Sequence, residues 1–103
     1  MRSAVSGLTD QLGPPEILIP CAGICGFDLV EQLDVEQIER ILRVNYLGVI
    51  YALDAVLPGM VERRWGRIVN FSGMNSIRGQ AGRTHVAASK HAVEGLATTL
   101  AAE

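Results

Sequence analysis

Cysteine is scarce in this chain: Cys21 and Cys25 are its only thiols. They can close one local bridge at most, no second ligand pair accompanies them, and His85 and His91 lie 60 or more residues further on. Metal-site spacing is therefore absent, and both thiols are expected to be buried or partly buried. Charge of one sign is lacking too, because 9 Lys and Arg oppose 11 Asp and Glu for a formal net charge of -2. So even a balance leaves no nucleic-acid footprint. The apolar stretches fall short of the roughly 20 residues that span a bilayer, and the opening MRSAVSGLTDQLG turns polar too soon for a secretory signal. A soluble, cytoplasmic protein with neither a nucleic-acid nor a membrane partner is the expectation. No internal repeat occurs, and no glycine string of the kind that cradles a pyrophosphate.

What is present is globular in profile, with 49% apolar and 19% charged types. Residues 1–103 read as one small domain, which would bury roughly 65% of the surface its extended chain exposes and so carries only a modest core. Val5, Leu8 and Leu12 predict a short helix over residues 2–12, weakened by Gly7 and ended by Gly13, Pro14 and Pro15. Glu16 to Ile19 follows as a strand whose run Ile17, Leu18, Ile19 implies burial on both faces, with Pro20 at its end. Cys21 to Leu33 reads as a loop.

Asp34 is placed to cap the next helix, with Gln37 at the capping-box position. Apolar spacing then predicts a helix from Val35 to about Met60, with Gly48 and Pro58 as points of interruption. Gly66 turns the chain into a second strand, Arg67 to Phe71, and residues 73–83 read as a polar loop. The alanine-rich run from Thr84 or His85 to Glu103 is a last helix. Two apolar strands joined by a long helical crossover pair in parallel, with helices over the faces. The fold class is α/β, yet two strands are too few to complete a doubly wound sheet.

Three places carry chemical interest. Ala22 and Gly23 follow the first strand, and ligands of open α/β sheets sit at the carboxyl ends of parallel strands. They are either contact residues or a simple turn. Asn45 lies inside an apolar helix run where its amide must find partners, either anchoring a kink or a water in a site, or held in a helix groove. Lys90 stands near the first turns of the last helix, either solvated or reaching the strand ends.

Four stretches in order, ILIPCAGI, RVNYLGV, GRIVNFSG and AASKHAVEGL, resemble landmarks of the short-chain dehydrogenase/reductase family across nearly the entire chain. The resemblance implies a partial Rossmann-like doubly wound sheet keeping the fourth and fifth of seven strands. It also implies NAD or NADP as cofactor and hydride transfer between alcohol and carbonyl. In that family a Tyr transfers the proton, a Ser holds the substrate oxygen, a Lys lowers the Tyr pKa and contacts the nicotinamide ribose, and an Asn holds a water in the relay. By resemblance Asn45 and Lys90 match the Asn and Lys, and Ala22, Gly23 and Lys90 match residues beside the cofactor.

The departures bear on activity. Val86 stands where the family has Tyr, four residues before Lys90, and Gly73 stands where it has Ser, thirteen residues before that. Pro20 and Cys21 replace the two asparagines of the family's first strand end. Ser72 should face away from the site, His85 is expected at a helix start or facing solvent, and Thr84 is expected as a cap. The chain thus resembles a truncated, catalytically degenerate member without the glycine-rich phosphate-binding unit. The alternatives are a non-catalytic module that binds itself or a related full-length subunit through its long helices, and a gene fragment.

Overall fold

A computed structural model describes residues 1–103. Helix α1 spans Arg2–Leu12 and stops at Gly13, whose φ of 85° lies in the left-handed region that suits glycine. Strand β1 (Ile17–Leu18), a short 3-10 turn (Val30–Gln32), α2 (Val35–Leu42), a π-helical turn (Arg43–Leu47) and α3 (Gly48–Arg63) follow. The chain continues with β2 (Arg67–Ile68), the four-residue α4 (Met74–Ile77) and α5 (Thr84–Leu100). The strands pair in parallel as expected, with Leu18 opposite Ile68. Both are shorter than their apolar runs, since each has one neighbour only and the ladder ends where the two diverge.

The interruption expected near Gly48 is found as the π turn Arg43–Leu47, which ends directly before it. None occurs at Pro58. Pro58 sits inside α3 on its exposed side, so the carbonyl its missing amide leaves free belongs to the equally exposed Asp54 and meets water. The run ends at Arg64, whose φ of 54° turns the chain toward β2. By length and composition Val35–Arg63 would suffice to cross a membrane, but its Val49 and Leu53 form the centre of the core with Val93 of α5. At the start of α2, Asp34 caps as expected, accepting from the Glu36 amide at 3.1 Å. Gln37 turns toward Gly26 rather than closing a capping box, and α5 starts without a side-chain cap from Thr84.

The expected burial of β1 on both faces is not found. Leu18 and Ile68 pack on the Val49, Leu53 and Val93 cluster, whereas Ile17, Ile19, Val69 and Phe71 on the opposite face are each about half exposed. The reason is architectural: α3 and α5 cover one face and no element covers the other. Only 12 of 103 residues are buried, and the radius of gyration is 15.5 Å where a compact domain of this length has about 13 Å. The fold is a slab with one finished side. Cys21 and Cys25 are likewise exposed rather than buried, because their loop leaves the sheet at its open end.

α1 lies along α3, where the Arg2 guanidinium donates to both Asp54 carboxylate oxygens at 2.6 Å. That hydrogen bonding holds Asp54 below the usual carboxylate range and Arg2 above its ordinary value. A carboxylate lowered on folding contributes stability above its unfolded value and loses it as pH falls through the lowered one. The protection factors of α1 amides, exchange measured relative to the intrinsic rate at each pH, are therefore expected to fall slightly as pH drops below about 4, and Asp54→Asn to remove that dependence; the pair is exposed and the effect small. In the core, Leu53→Ala is expected to cost about 2–5 kcal/mol, read as a lowered urea midpoint.

Candidate functional site

The loop after β1, the π turn and the start of α5 converge on Asn45. Its side chain is buried, with 2% exposure, and every polar atom on it is used. Oδ1 accepts from the Ile24 amide at 2.8 Å, while Nδ2 donates to the Ile24 carbonyl and to Ser89 Oγ, each at 2.9 Å. Ser89 in turn donates to the Val86 carbonyl at 2.7 Å. Of the two readings of Asn45, the structure bears on the structural one: one amide ties the loop after β1 to α5. A π turn admits one more residue than an α turn and often marks a functional position.

Gly23 lies in that loop, exposed, with Asn45 Oδ1 3.5 Å from where its Cβ would stand. Ala22 beside it is exposed as well. Lys90 is half-buried rather than solvated, and its Nζ donates to the Phe71 carbonyl at the end of β2 at 3.1 Å. A Cβ on Gly73 would stand 3.4 Å from Lys90 Cγ, so position 73 faces Lys90. Ser72 lies beyond β2, where strand alternation no longer holds, and rather than facing away it donates to Glu94, one turn along α5 from Lys90. The structure thus gathers Ala22, Gly23, Asn45, Lys90 and Gly73 at one end of the sheet.

His85 stands in the first turn of α5, at the expected helix start, but faces inward rather than solvent. It is 2% exposed, its Nε2 stands 3.3 Å from Asp28 Oδ2, and neither ring nitrogen makes a hydrogen bond. Around it the loop and the start of α5 are zipped together: Asp28 donates its amide to the Gly82 carbonyl at 3.0 Å, and Arg83 Nη1 donates to the Gly26 carbonyl at 2.7 Å. A Cβ on Gly82, whose φ is 74°, would stand 2.6 Å from the Phe27 ring. Sequence reasoning missed this latch because its partners are some 55 residues apart. The glycines at 26 and 82 were the available signal.

A family model for short chain dehydrogenases matches residues 1–103. The chain belongs to the short-chain dehydrogenase family. Its relatives include nodulation protein G of Azospirillum brasilense, 36% identical over 99% of this chain and 42% of the relative's length. The inactive 2-(S)-hydroxypropyl-CoM dehydrogenase 2 of Xanthobacter autotrophicus is 41% identical over 100% of this chain and 45% of its own. Among solved structures, a gluconate 5-dehydrogenase from Burkholderia cenocepacia in complex with NADP and tartrate superposes with a TM-score of 0.93 at 28% identity, covering 98% of this chain and 40% of that one. This short-chain dehydrogenase chain therefore spans less than half the length of these relatives. The fold is Rossmann-like.

Removing the Asn45 amide strips partners from the Ile24 backbone and from Ser89 in a dry environment. Asn45→Ala is expected to destabilise by about 1–3 kcal/mol and to raise the exchange rate of the Ile24 amide, which hydrogen exchange by NMR would resolve. Ser89→Ala, which removes one of Asn45's three bonds, should cost less.

Proposed function

We propose that this chain is a short-chain dehydrogenase homologue whose own hydride-transfer chemistry is lost or severely impaired. One observation carries the reading: Val86 and Gly73 occupy the positions that match the family's proton-transferring Tyr and substrate-holding Ser. Val86 is buried and has no group that exchanges a proton. Gly73 has φ -152° and ψ 152°, a conformation any residue adopts, so the backbone does not require glycine there. Neither neighbour makes good the loss. His85 is buried against Asp28, and the Ser72 hydroxyl is engaged by Glu94. Loss of a positioned proton donor costs on the order of 10² to 10⁴ in rate, before the missing Ser is counted.

NAD or NADP is the cofactor the family membership supports, and it would supply the hydride. The residues present fit one end of it only. Exposed Gly23 and Ala22 leave room for close approach to the backbone, and Lys90 Nζ stands at the strand end, where it can donate to ribose hydroxyls. Residues 1–103 hold no glycine string for the pyrophosphate. Asn45 and Lys90 keep their places in the site, Asn45 through its backbone ties rather than a free amide.

A second reading, an interaction module without catalysis, is favoured by the half-exposed apolar face of the sheet. An apolar groove between α3 and α5, lined by Ile50, Leu53, Leu57, Leu96 and Leu100, offers a further surface for self-association or for a related full-length subunit.

The test is turnover of simple ketones with NADPH and with NADH, beside a calorimetric titration with each. No turnover is expected, and restoring Gly73→Ser with Val86→Tyr should leave the chain inactive while the phosphate-binding unit is missing. Titration should give no saturable binding tighter than about 1 mM. Measurable turnover by the unaltered chain would overturn the proposal.

A further inference from the structure

The loop after β1 is fastened at two points. Asn45 holds its near half at Ile24. Its far half, Gly26 to Asp28, is held on the residues that lead into α5, where the Asp28 amide donates to the Gly82 carbonyl and Arg83 Nη1 to the Gly26 carbonyl. This second fastening contains four of the five buried side-chain polar atoms that have no hydrogen-bond partner: both ring nitrogens of His85, Asp28 Oδ2 and Arg83 Nε. A buried polar group without a partner bears its full desolvation cost. The space is close-fitting as well, since a Cβ on Gly26 would stand 2.7 Å from His85 Nε2 and 2.9 Å from Gln37 Nε2. Glycine at 26 is what lets the loop close over the imidazole.

The charges around the ring decide how it responds to a proton. From the loop, the Asp28 carboxylate faces Nε2 at 3.3 Å, while the Cys25 thiol is exposed. From α2, uncharged Gln37 and Ile41 approach at Gly26, and the charged Glu36, Glu39 and Arg40 line an outer groove with Arg43. The residues of α4 are uncharged. Arg83 is the cation that opposes a charged ring, and its guanidinium is turned to the Gly26 carbonyl and the Phe27 ring. Further along α5, Lys90 binds the Phe71 carbonyl, Glu94 engages Ser72, and exposed His91 sits against the Ala87 carbonyl. A neutral imidazole leaves its donor and its acceptor both unmatched here. A charged one presents Nε2–H to a carboxylate about half an ångström beyond the usual length of a charge-assisted bond, in a partly buried setting that salt screens little.

We propose that His85 and Asp28 form a proton-operated clasp: the charged ring draws Asp28 in and fixes the far half of the loop on the start of α5, and loss of the proton releases it. This goes beyond the loss of hydride-transfer chemistry and does not depend on it. Histidine is the side chain that ordinarily titrates between pH 5 and 8. The clasp is therefore firm at the acid end of that range and loosens as pH rises through it.

The experiment follows amide exchange by NMR from about pH 7.5 to about pH 5.5, each rate taken relative to its intrinsic value at that pH. Protection of the position-28 amide should rise on the order of 10-fold toward the acid end, while Val93 in the core should change little. Asp28→Asn keeps the shape without the carboxylate and should invert the trend, because burial then opposes the charged ring. His85→Gln should abolish the trend and His91→Gln should leave it intact. Protection at position 28 that stays flat or falls on acidification of the unaltered chain would overturn the proposal. So would an Asp28→Asn chain, folded by circular dichroism, whose amide still gains protection as pH falls.

Discussion

One side-chain amide holds the functional end of this molecule together. Asn45 is the point where the loop after β1, the irregular turn of the long helix and the first turns of α5 are all tied. Without it the Ile24 backbone would need water where the structure admits little, and Ser89 would lose its acceptor role. Gly23, Val86 and Lys90 are each within a few residues of an atom in this network. Their mutual placement follows from a structural bond rather than from any interaction among themselves. The framework does not run through the side chains at 73 and 86.

The remainder of the fold is shaped by the asymmetry of the sheet. Burial on one side gives a core of Val49, Leu53 and Val93 with a partly buried rim. A core of this size leaves a small margin of stability for a domain of about 100 residues. The Arg2 and Asp54 pair secures α1 to α3 at the surface, where salt and solvent weaken it. The loop latch around His85 and Arg83 is better shielded. The end of the molecule that carries the site is thus held more firmly than the N-terminal helix.

Much of this was legible from residue order. Helical spacing located α1, the long helix and α5, and Asp34 announced its own cap. The alternation of short apolar runs with helices implied a parallel pair, and four motif stretches pointed to the family. The failures share a physical origin. Strand burial was inferred from composition, but Ile17 and Ile19 are apolar without being covered, because burial depends on what lies opposite rather than on the residue itself. His85 was rightly set at the start of α5, but its burial was missed because its surroundings are built from Gly26 and Asp28, far away in sequence. That the turn at Asn45 is π-wound was not legible, because Ile41, Asn45, Val49 and Leu53 recur every four residues across it, a spacing that an unbroken helix gives as well.

The residue that the π turn adds has a consequence for the long helix as a mechanical part. Each residue advances an α-helix by about 100°, so the extra one in the Arg43–Leu47 turn resets the angular phase between α2 and α3. On either side of that turn the rod buries Ile41 in α2 and Val49 and Leu53 in α3, the latter two against both Val93 of α5 and the sheet residues Leu18 and Ile68. The turn at Asn45 therefore changes the winding of one continuous rod without a break in the chain.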